Sequence, residues 1–138
     1  MSVRVHENYC KGLLKEIAGD RFVDRGDQVK VDYGSVRANI DGVIGDCAIE
    51  IESRVNKQVR GALLDLLEHP CQKKLLILVP AHMPNPEACT KHCEYILNKY
   101  KRDDQIIKVV LLEGTGHDPK KEEDKELIRK ALIELGVL

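Results

Sequence analysis

The sequence lacks any long apolar run and any strong excess of charge of one sign. No stretch approaches the ~18 consecutive apolar residues that a membrane-spanning helix needs, and charged residues interrupt the apolar core that a signal peptide would place in the first 20 residues. The 22 basic and 23 acidic residues give a formal net charge of −1, which excludes a polycation that coats nucleic acid non-specifically. We therefore expect a cytoplasmic protein without a membrane segment, which contacts nucleic acid only through local patches.

Internal repeats, low-complexity tracts and linker-like runs of Gly, Ser or Pro are also missing. The 138 residues, of which 43% are hydrophobic and 33% charged, fit one globular domain over residues 1–138 that buries a core without disulfides or a structural metal. The five cysteines are odd in number and scattered along the chain. That pattern predicts thiols in a reducing compartment rather than a disulfide framework.

The first half of the chain predicts one helix and a three-stranded meander. Apolar residues recur at helical spacing over residues 6–18, and Gly19 ends that segment as a helix-terminating glycine. Strict alternation of apolar and polar residues then predicts strands, joined by two-residue turns at Gly34-Ser35 and Gly45-Asp46. The alternating segments are 29–33, 36–40 and 47–52.

The second half alternates helices with apolar strands. Helical spacing predicts a helix from Val55 to His69, a second one over residues 87–100, and a last helix with Asp118 as N-cap and Pro119 at the first position. Between them, the segments 75–79 and 106–112 are apolar on both sides, which is typical of strands buried on both faces. The predicted order is α-β-β-β-α-β-α-β-α, an α/β fold with a mixed sheet sandwiched by helices.

The turn register brings acidic residues together. If Gly45-Asp46 forms the whole turn, Asp41 lies opposite Glu50, and the same register places Asn39 opposite Glu52. Because side chains alternate along a strand, Asp41, Glu50 and Glu52 then project from one side of the sheet. The Gly34-Ser35 turn sets Lys30 opposite Asn39, so that Lys30, Asn39 and Glu52 form one row.

Opposed carboxylates repel each other unless a positive charge lies among them. A divalent cation, Mg²⁺ or Mn²⁺, would remove this penalty, with the backbone carbonyl of Ile51 as a further oxygen ligand. Alternatively, the acids form a solvated face of the hairpin, with Lys30, Arg37 and Arg54 as partners.

Ile40-Asp41, followed nine residues later by Glu50-Ile51-Glu52 and then by a helix containing Gln58, resembles the motif of the PD-(D/E)XK nucleases. The resemblance implies a restriction-endonuclease-like fold and metal-dependent hydrolysis of phosphodiester bonds in DNA. It further implies that Asp41 and Glu50 bind the metal ion. Glu52 stands where the family usually carries a lysine that positions or activates the attacking water, and it would ligate a metal ion or hold that water.

The positive charge that the motif lysine normally supplies has three candidate sources: Lys30, Arg54 and Lys57. Gln58 resembles the glutamine that some branches of the family carry near the site, although a polar surface position explains it equally well. An acid of the first helix, Glu7 or Glu16, could reach the site, as in some relatives. Phosphate contacts beside the site are expected from the basic residues that begin the next helix, namely Arg54, Lys57 and Arg60.

These observations lead to two hypotheses. The first is a Mg²⁺- or Mn²⁺-dependent DNA endonuclease of the restriction, repair or junction-resolving type, acting as a homodimer through the apolar stripe of its last helix. The second is a non-catalytic nucleic-acid-binding or protein-interaction domain that keeps the nuclease fold. The near-neutral charge and the glutamate at position 52 favour the second hypothesis.

Three further patterns carry less weight. Cys89, His92 and Cys93 share a helical face, with Cys71 or His82 as a fourth zinc ligand, but the spacing is unlike that of common zinc sites. The loop 114–117 lacks the Lys-Ser/Thr of a P-loop and the third glycine of a dinucleotide fingerprint, so we expect a plain connection. Asp65 and Glu68 are expected on an exposed helix face.

Overall fold

The fold is an α/β architecture in which helices cover both faces of a mixed sheet. The computed structural model describes residues 3–55 and 57–138; residues 1 and 2, which begin the segment considered above for a signal peptide, lie outside this description. The elements in chain order are α1 (Val3–Ala18), β1 (Phe22–Val23), β2 (Lys30–Asp32), β3 (Arg37–Asn39), β4 (Gly42–Ile44), β5 (Cys47–Glu52), α2 (Lys57–Glu68), β6 (Lys73–Leu78), α3 (Pro86–Tyr100), β7 (Ile106–Leu111) and α4 (Lys121–Glu134).

The main sheet has five strands in the order β1-β4-β5-β6-β7. Strands β5, β6 and β7 are parallel, whereas β4 is antiparallel to β5 and β1 is antiparallel to β4. The turn at Gly45-Asp46 places Ile44 opposite Cys47, as predicted, and Gly45 has a φ of 58°, which glycine adopts without steric cost. The carboxyl ends of the three parallel strands therefore lie together at one edge of the sheet.

The prediction of a three-stranded meander is wrong. Strands β2 and β3 form a separate two-stranded sheet, because β1 pairs with β4 on the edge that the segment 29–33 was expected to fill. Phe22 of β1 pairs with Ile44, and its ring packs where Gly42 has no side chain: a Cβ on Gly42 would lie 2.3 Å from the ring. The chain consequently leaves the main sheet after β1 and returns to it at β4.

The predicted row of Lys30, Asn39 and Glu52 does not form, since the first two residues and the third belong to different sheets. Lys30 does lie opposite Asn39, as the turn at Gly34-Ser35 predicted. However, the Lys30 ammonium pairs with the Asp27 carboxylate at 3.0 Å. Lys30 therefore has a local partner and is not a neighbour of Glu52 in the sheet.

Two apolar cores lie on opposite faces of the main sheet. Because side chains alternate along each strand, one set packs against α1 and α4 and the other against α2 and α3. The strand residues of the first core include Ile44, Ile49, Ile51, Leu75 and Ile77. Those of the second core include Val43, Ala48, Leu76 and Leu78.

The two apolar strands of the second half differ in burial. Strand β6 lies between β5 and β7 and is buried on both faces, which its apolar run predicted. Strand β7 is at the edge of the sheet and is only partly buried, with 49% of Ile106 exposed. The expectation that β7 is equally buried is wrong, because apolar composition alone does not reveal which strand ends a sheet.

The helix boundaries agree with the sequence pattern except at α4. Helix α1 ends before Gly19, which has a φ of 59°, as predicted. Helix α4 begins at Lys121, so the prediction of Asp118 as its N-cap is wrong. The Thr115 hydroxyl oxygen accepts hydrogen bonds from the backbone N–H groups of His117 and Asp118, and this turn keeps the segment out of the helix.

A buried carboxylate ties the two ends of the described chain together. Asp124 of α4 is fully buried and accepts a hydrogen bond from the Tyr9 hydroxyl of α1 at 2.7 Å. The same carboxylate accepts bonds from the backbone N–H groups of Glu113 and Gly114, at 2.7 and 3.0 Å. One side chain therefore joins α1, α4 and the loop after β7.

The cysteines agree with a further expectation. All five cysteines are free thiols, and Cys10, Cys47 and Cys93 are buried. Across residues 3–55 and 57–138, the structure has no helix with the length and apolarity that a membrane crossing requires.

Candidate functional site

A cleft of about 390 Å³ opens beside the carboxyl end of β5 and contains the acidic residues singled out in the sequence. Strand β5 directs Ala48, Glu50 and Glu52 towards α2, and the last two lie where the strand ends. Helix α2 faces them with the small residues Gly61 and Ala62, which leave room for the cleft. The cleft is lined by His6, Glu7, Asn39, Asp41, Glu50, Ile51, Glu52, Ser53, Arg54, Gln58, Gly61, Ala62 and Asp65.

Hydrogen bonds from two backbone N–H groups hold the Asp41 and Glu50 carboxyl groups in place. The Asp41 N–H donates to Oε1 of Glu50 at 2.8 Å, and the Ile51 N–H donates to Oδ2 of Asp41 at 2.7 Å. The β4–β5 ladder extends from Ile44 opposite Cys47 to Gly42 opposite Ile49, so the two carboxylates continue the pairing where the backbone ladder stops. The contact between Asp41 and Glu50 that the turn register predicted is confirmed.

The carbonyl group of Ile51 faces the same side of β5 as its N–H. In a β-strand, the N–H and C=O of one residue point in the same direction, towards one neighbouring strand. Because the Ile51 N–H points to Asp41, the Ile51 carbonyl points to the region that β4 leaves open. Asp41, Glu50 and this carbonyl therefore offer oxygen ligands on one side of the cleft.

Burial disfavours the ionised forms of the Asp41 and Glu50 carboxyl groups. Burial, reinforced by the hydrogen bond with Glu7, raises the pKa of Asp41 to about 7. Burial and the negative charge of Asp41 raise the pKa of Glu50 to about 10. The hydrogen bond from Asp41 lowers the pKa of Glu7, so Asp41 holds the proton in this pair and Glu7 accepts the hydrogen bond.

Glu52 is already neutralised by the residue that follows it. Its Oε2 accepts hydrogen bonds from the N–H groups of Ser53 and Arg54 and from Nε of Arg54, and its Oε1 accepts one from Nη2, all at 2.9 Å. Glu52 is only 2% exposed. To ligate a metal ion or hold a water molecule, Glu52 would have to give up part of this bidentate pairing.

The other residues proposed from the sequence fall into two groups. Gln58 lines the cleft together with Arg54, whose guanidinium is bound to Glu52. Lys57 and Arg60 lie exposed on α2, outside the set of described residues that line the cleft, and Arg60 borders a groove between α2 and α3. Of the lysine and arginine side chains that the structure describes, Arg54 alone lines the cleft.

Two acidic residues join the site from the helices. Glu7 lines the cleft, whereas Glu16, the other candidate on α1, pairs with Lys121 and Lys125 of α4. The expectation of an exposed Asp65 is wrong: Asp65 is half-buried, lines the cleft and accepts a hydrogen bond from the Tyr33 hydroxyl. Its spacing of seven residues from Gln58, two helical turns, was the sequence signal for this position.

Sequence reasoning also missed His6 and Ser53. Both are buried and line the cleft, and among the described residues neither the His6 ring nitrogens nor the Ser53 hydroxyl has a hydrogen-bond partner. Buried polar groups without partners are rare and often mark places where a ligand, ion or water molecule binds. A lone histidine in a helix and a serine after a strand gave no pattern from which this could be predicted.

Across residues 3–55 and 57–138, no three His, Cys, Asp or Glu side chains are arranged to hold a metal ion. The expected Mg²⁺ or Mn²⁺ nevertheless fits the chemistry of the donors, since Asp41, Glu50 and the Ile51 carbonyl supply the hard oxygen ligands that these ions prefer. The alternative zinc cluster on α3 is disfavoured. His92 is exposed while Cys93 is buried, so the two side chains do not face one point.

Comparison of the chain with models of protein families, with curated proteins and with solved structures finds no match. The residues and their geometry are therefore the basis for the proposals that follow.

Proposed function

We propose that the protein is a divalent-metal-dependent DNA endonuclease with a restriction-endonuclease-like fold, and that Mg²⁺ or Mn²⁺ binds at Asp41 and Glu50. The observation that carries this proposal is the buried pair of carboxyl groups that the N–H groups of Asp41 and Ile51 hold side by side, with pKa values raised to about 7 and about 10. Holding two acids together in a buried position lowers the stability of the fold, and such arrangements are concentrated at functional sites. A bound cation offsets that cost.

The fold supports the proposal at the level of architecture. The two carboxylates lie at the open end of the β4–β5 hairpin, next to the helix that follows β5, which is the arrangement that the resemblance to PD-(D/E)XK nucleases implies. Helix α1 adds Glu7 from one side of the sheet, and α2 adds Gln58 and Asp65 from the other. Side chains from four elements thus meet in one cleft.

The residues of the chain have separate tasks in this proposal. The metal ion, when bound, polarises the phosphoryl oxygen and lowers the pKa of a water molecule. Asp41 and Glu50 would bind the ion, and the protons that their carboxyl groups release on binding would pass to solvent. The Gln58 amide holds a phosphate oxygen or the attacking water by hydrogen bonding.

Contacts outside the cleft follow from the exposed basic residues of α2. Lys57 and Arg60 would contact the phosphates of DNA that passes over the start of this helix, and Arg54 would do so at the rim of the cleft. Cleavage of both strands requires two such sites, which we propose are brought together in a homodimer.

Cleavage assays with several DNA forms test the proposal. Supercoiled plasmid, linear duplex, single strands and a four-way junction are incubated with Mg²⁺, Mn²⁺ or EDTA. Wild-type protein is compared with Asp41→Asn and Glu50→Gln, which keep the hydrogen-bond acceptors, and with Glu126→Gln, an exposed control on α4. Metal-dependent cutting that both site variants lose and the control keeps supports the proposal, whereas equal cutting by all four proteins contradicts it.

The second candidate, a non-catalytic nucleic-acid-binding or protein-interaction domain, is favoured by Glu52. Glu52 occupies the position of the motif lysine, and Arg54 binds its carboxylate. No lysine is found among the described residues that line the cleft. Isothermal titration with Mn²⁺ separates the two candidates. Binding that depends on Asp41 and Glu50 favours the nuclease, and its absence together with no cutting favours the interaction domain.

A further inference from the structure

A second pocket of about 320 Å³ lies beside the cleft, at the carboxyl edge of the sheet. We call it the histidine pocket; its lining residues are His6, Ala81, His82, Thr115 and His117. The 3₁₀ turn Pro80–His82 follows β6, and the loop 113–118 follows β7. In α/β sheets, ligands bind preferentially at this edge, where loops follow the carboxyl ends of parallel strands.

His6 forms the boundary between the histidine pocket and the cleft. It is 1% exposed and borders both cavities, and neither of its ring nitrogens has a hydrogen-bond partner within residues 3–55 and 57–138. The His82 ring stands edge-on to it, with the ring centres 5.2 Å apart. Because an unpartnered buried polar group destabilises a fold, this arrangement indicates a ligand that supplies the missing partner.

The remaining polar groups of the histidine pocket are hydrogen-bond donors. The Thr115 oxygen accepts bonds from the N–H groups of His117 and Asp118, at 3.1 and 2.8 Å, so its hydroxyl proton is directed elsewhere. His82 and His117 are exposed and accessible to a ligand. No acidic residue is found among the described residues that line the pocket, and donors without acidic neighbours favour an anionic ligand.

A glycine holds the loop against α1. A Cβ on Gly116 would lie 2.6 Å from Cγ1 of Val5 and 2.7 Å from its carbonyl oxygen, so a larger residue would push the loop away. This close approach keeps His117 near His6, in agreement with a His6 pKa that is lowered by burial and by the imidazoles of His82 and His117. The position of the third histidine is therefore fixed by packing.

We propose that the histidine pocket binds a phosphate group through the imidazoles of His6, His82 and His117 and the hydroxyl of Thr115. No three of the described histidines converge on a point that would hold a metal ion, which favours an oxyanion over a transition metal. Because His6 also borders the cleft, the phosphate would be the one next to the scissile phosphate in a nucleic acid strand. That identification of its source rests on the proposed nuclease function; the phosphate site itself does not.

Titration with inorganic phosphate, followed through the imidazole ¹⁵N signals of the whole protein, tests the site. We expect saturable shifts of the His6, His82 and His117 signals and none for His92. Each of His82→Ala and His117→Ala should weaken binding by roughly tenfold, as the loss of about one hydrogen bond to an anion implies, while His92→Ala leaves it unchanged. Absence of shifts, or equal shifts of all these histidines, overturns the proposal.

One further variant and one metal titration protect the test against misfolding and against a metal. Gly116→Ala keeps every donor but displaces the loop from α1, so phosphate binding should weaken, while an unchanged ¹⁵N signal of His92 shows that the fold is retained. One equivalent of Zn²⁺ should leave the three imidazoles unaffected. If Zn²⁺ moves them and phosphate does not, the pocket is a metal site and the proposal is wrong.

Oligonucleotide arms separate the sources of the phosphate. Binding of a labelled duplex is measured by fluorescence anisotropy in Ca²⁺, where the DNA is not cut. The His82→Ala variant should bind the duplex more weakly if the group is a backbone phosphate. If only inorganic phosphate binding changes, the ligand is free phosphate. The proposed nuclease function fails separately, when wild-type protein does not cut DNA with metal yet binds phosphate, or when Asp41→Asn cuts normally.

Discussion

Replacing Glu50 by glutamine should make the metal-free protein more stable, and the gain should grow with pH. Burial and the charge of Asp41 raise the pKa of Glu50 from 4.5 to about 10, so at neutral pH the folded protein holds a proton that the unfolded chain releases. An acid whose pKa is raised by folding lowers stability as pH increases from its unfolded pKa towards its folded pKa. Glutamine carries no such proton and keeps the oxygen that accepts from the Asp41 N–H.

The size of the effect follows from the pKa shift. From pH 4.5 to pH 7, each pH unit is worth about 1.4 kcal/mol, so Glu50 costs the wild-type fold roughly 3 kcal/mol at pH 7 and nearly nothing at pH 4. For a domain of this size, that corresponds to a difference in thermal midpoint of roughly 10 °C. Thermal unfolding in EDTA, from pH 4 to pH 8, measures it for wild type, Glu50→Gln and the exposed control Glu126→Gln.

Metal ions should reverse the order of stability. At pH 7 to 8, Mg²⁺ or Mn²⁺ stabilises the ionised carboxylates of the wild-type protein, so its midpoint should rise with ion concentration, while that of Glu50→Gln changes little. A midpoint difference between wild type and Glu50→Gln that is the same at pH 4 and pH 8 would refute the reasoning about the buried acid. A metal response that both proteins share would refute the assignment of Glu50 as a ligand.

Three further changes test separate parts of the structure. Arg54→Ala should lower the free energy of unfolding by about 2 kcal/mol in urea titrations, because it leaves the buried Glu52 carboxylate without its partner, and adding Glu52→Gln should restore much of the loss. Tyr33→Phe removes the hydroxyl that donates to Asp65 and should increase amide hydrogen exchange in β2 and β3 with a loss of about 1 kcal/mol. Gly42→Ala places a methyl group 2.3 Å from the Phe22 ring and should lower the free energy of unfolding by about 2 kcal/mol. A smaller residue at position 22 should relieve this loss. An unchanged thermal midpoint of Gly42→Ala would show that β1 does not need this close approach.

The pairing of Asp41 with Glu50 was predictable because a two-residue turn fixes register. Gly45-Asp46 leaves one way to pair β4 with β5, and alternation then decides which side each carboxylate takes. The same reasoning correctly gave Lys30 opposite Asn39. It failed where the β2–β3 hairpin was expected to join the β4–β5 hairpin. Strand β1 has only two residues and no periodicity of its own, so the sequence did not indicate that β1 would pair with the edge of β4.

The parts of the site that come from helices were harder to predict. Asp65 lies two turns after Gln58 on α2, but a helix turns several polar residues outward and spacing alone does not say which face a cleft occupies. The positions of His6 and Ser53 in the cleft result from tertiary contacts, which the sequence does not reveal. The pairing of Arg54 with Glu52, two positions apart, depends on how the chain turns after β5, which no local pattern determined.

The bond between Tyr9 and Asp124 joins residues 115 positions apart and has a consequence for the order of assembly. Asp41 and Glu50 belong to a hairpin that closes locally, whereas α1 is held in place by α4. We therefore expect the acidic half of the cleft to form early in folding, and the half that contains Glu7 and His6 to dock together with the last helix. A partly folded chain would then hold the two acids without the neighbours that complete the cleft.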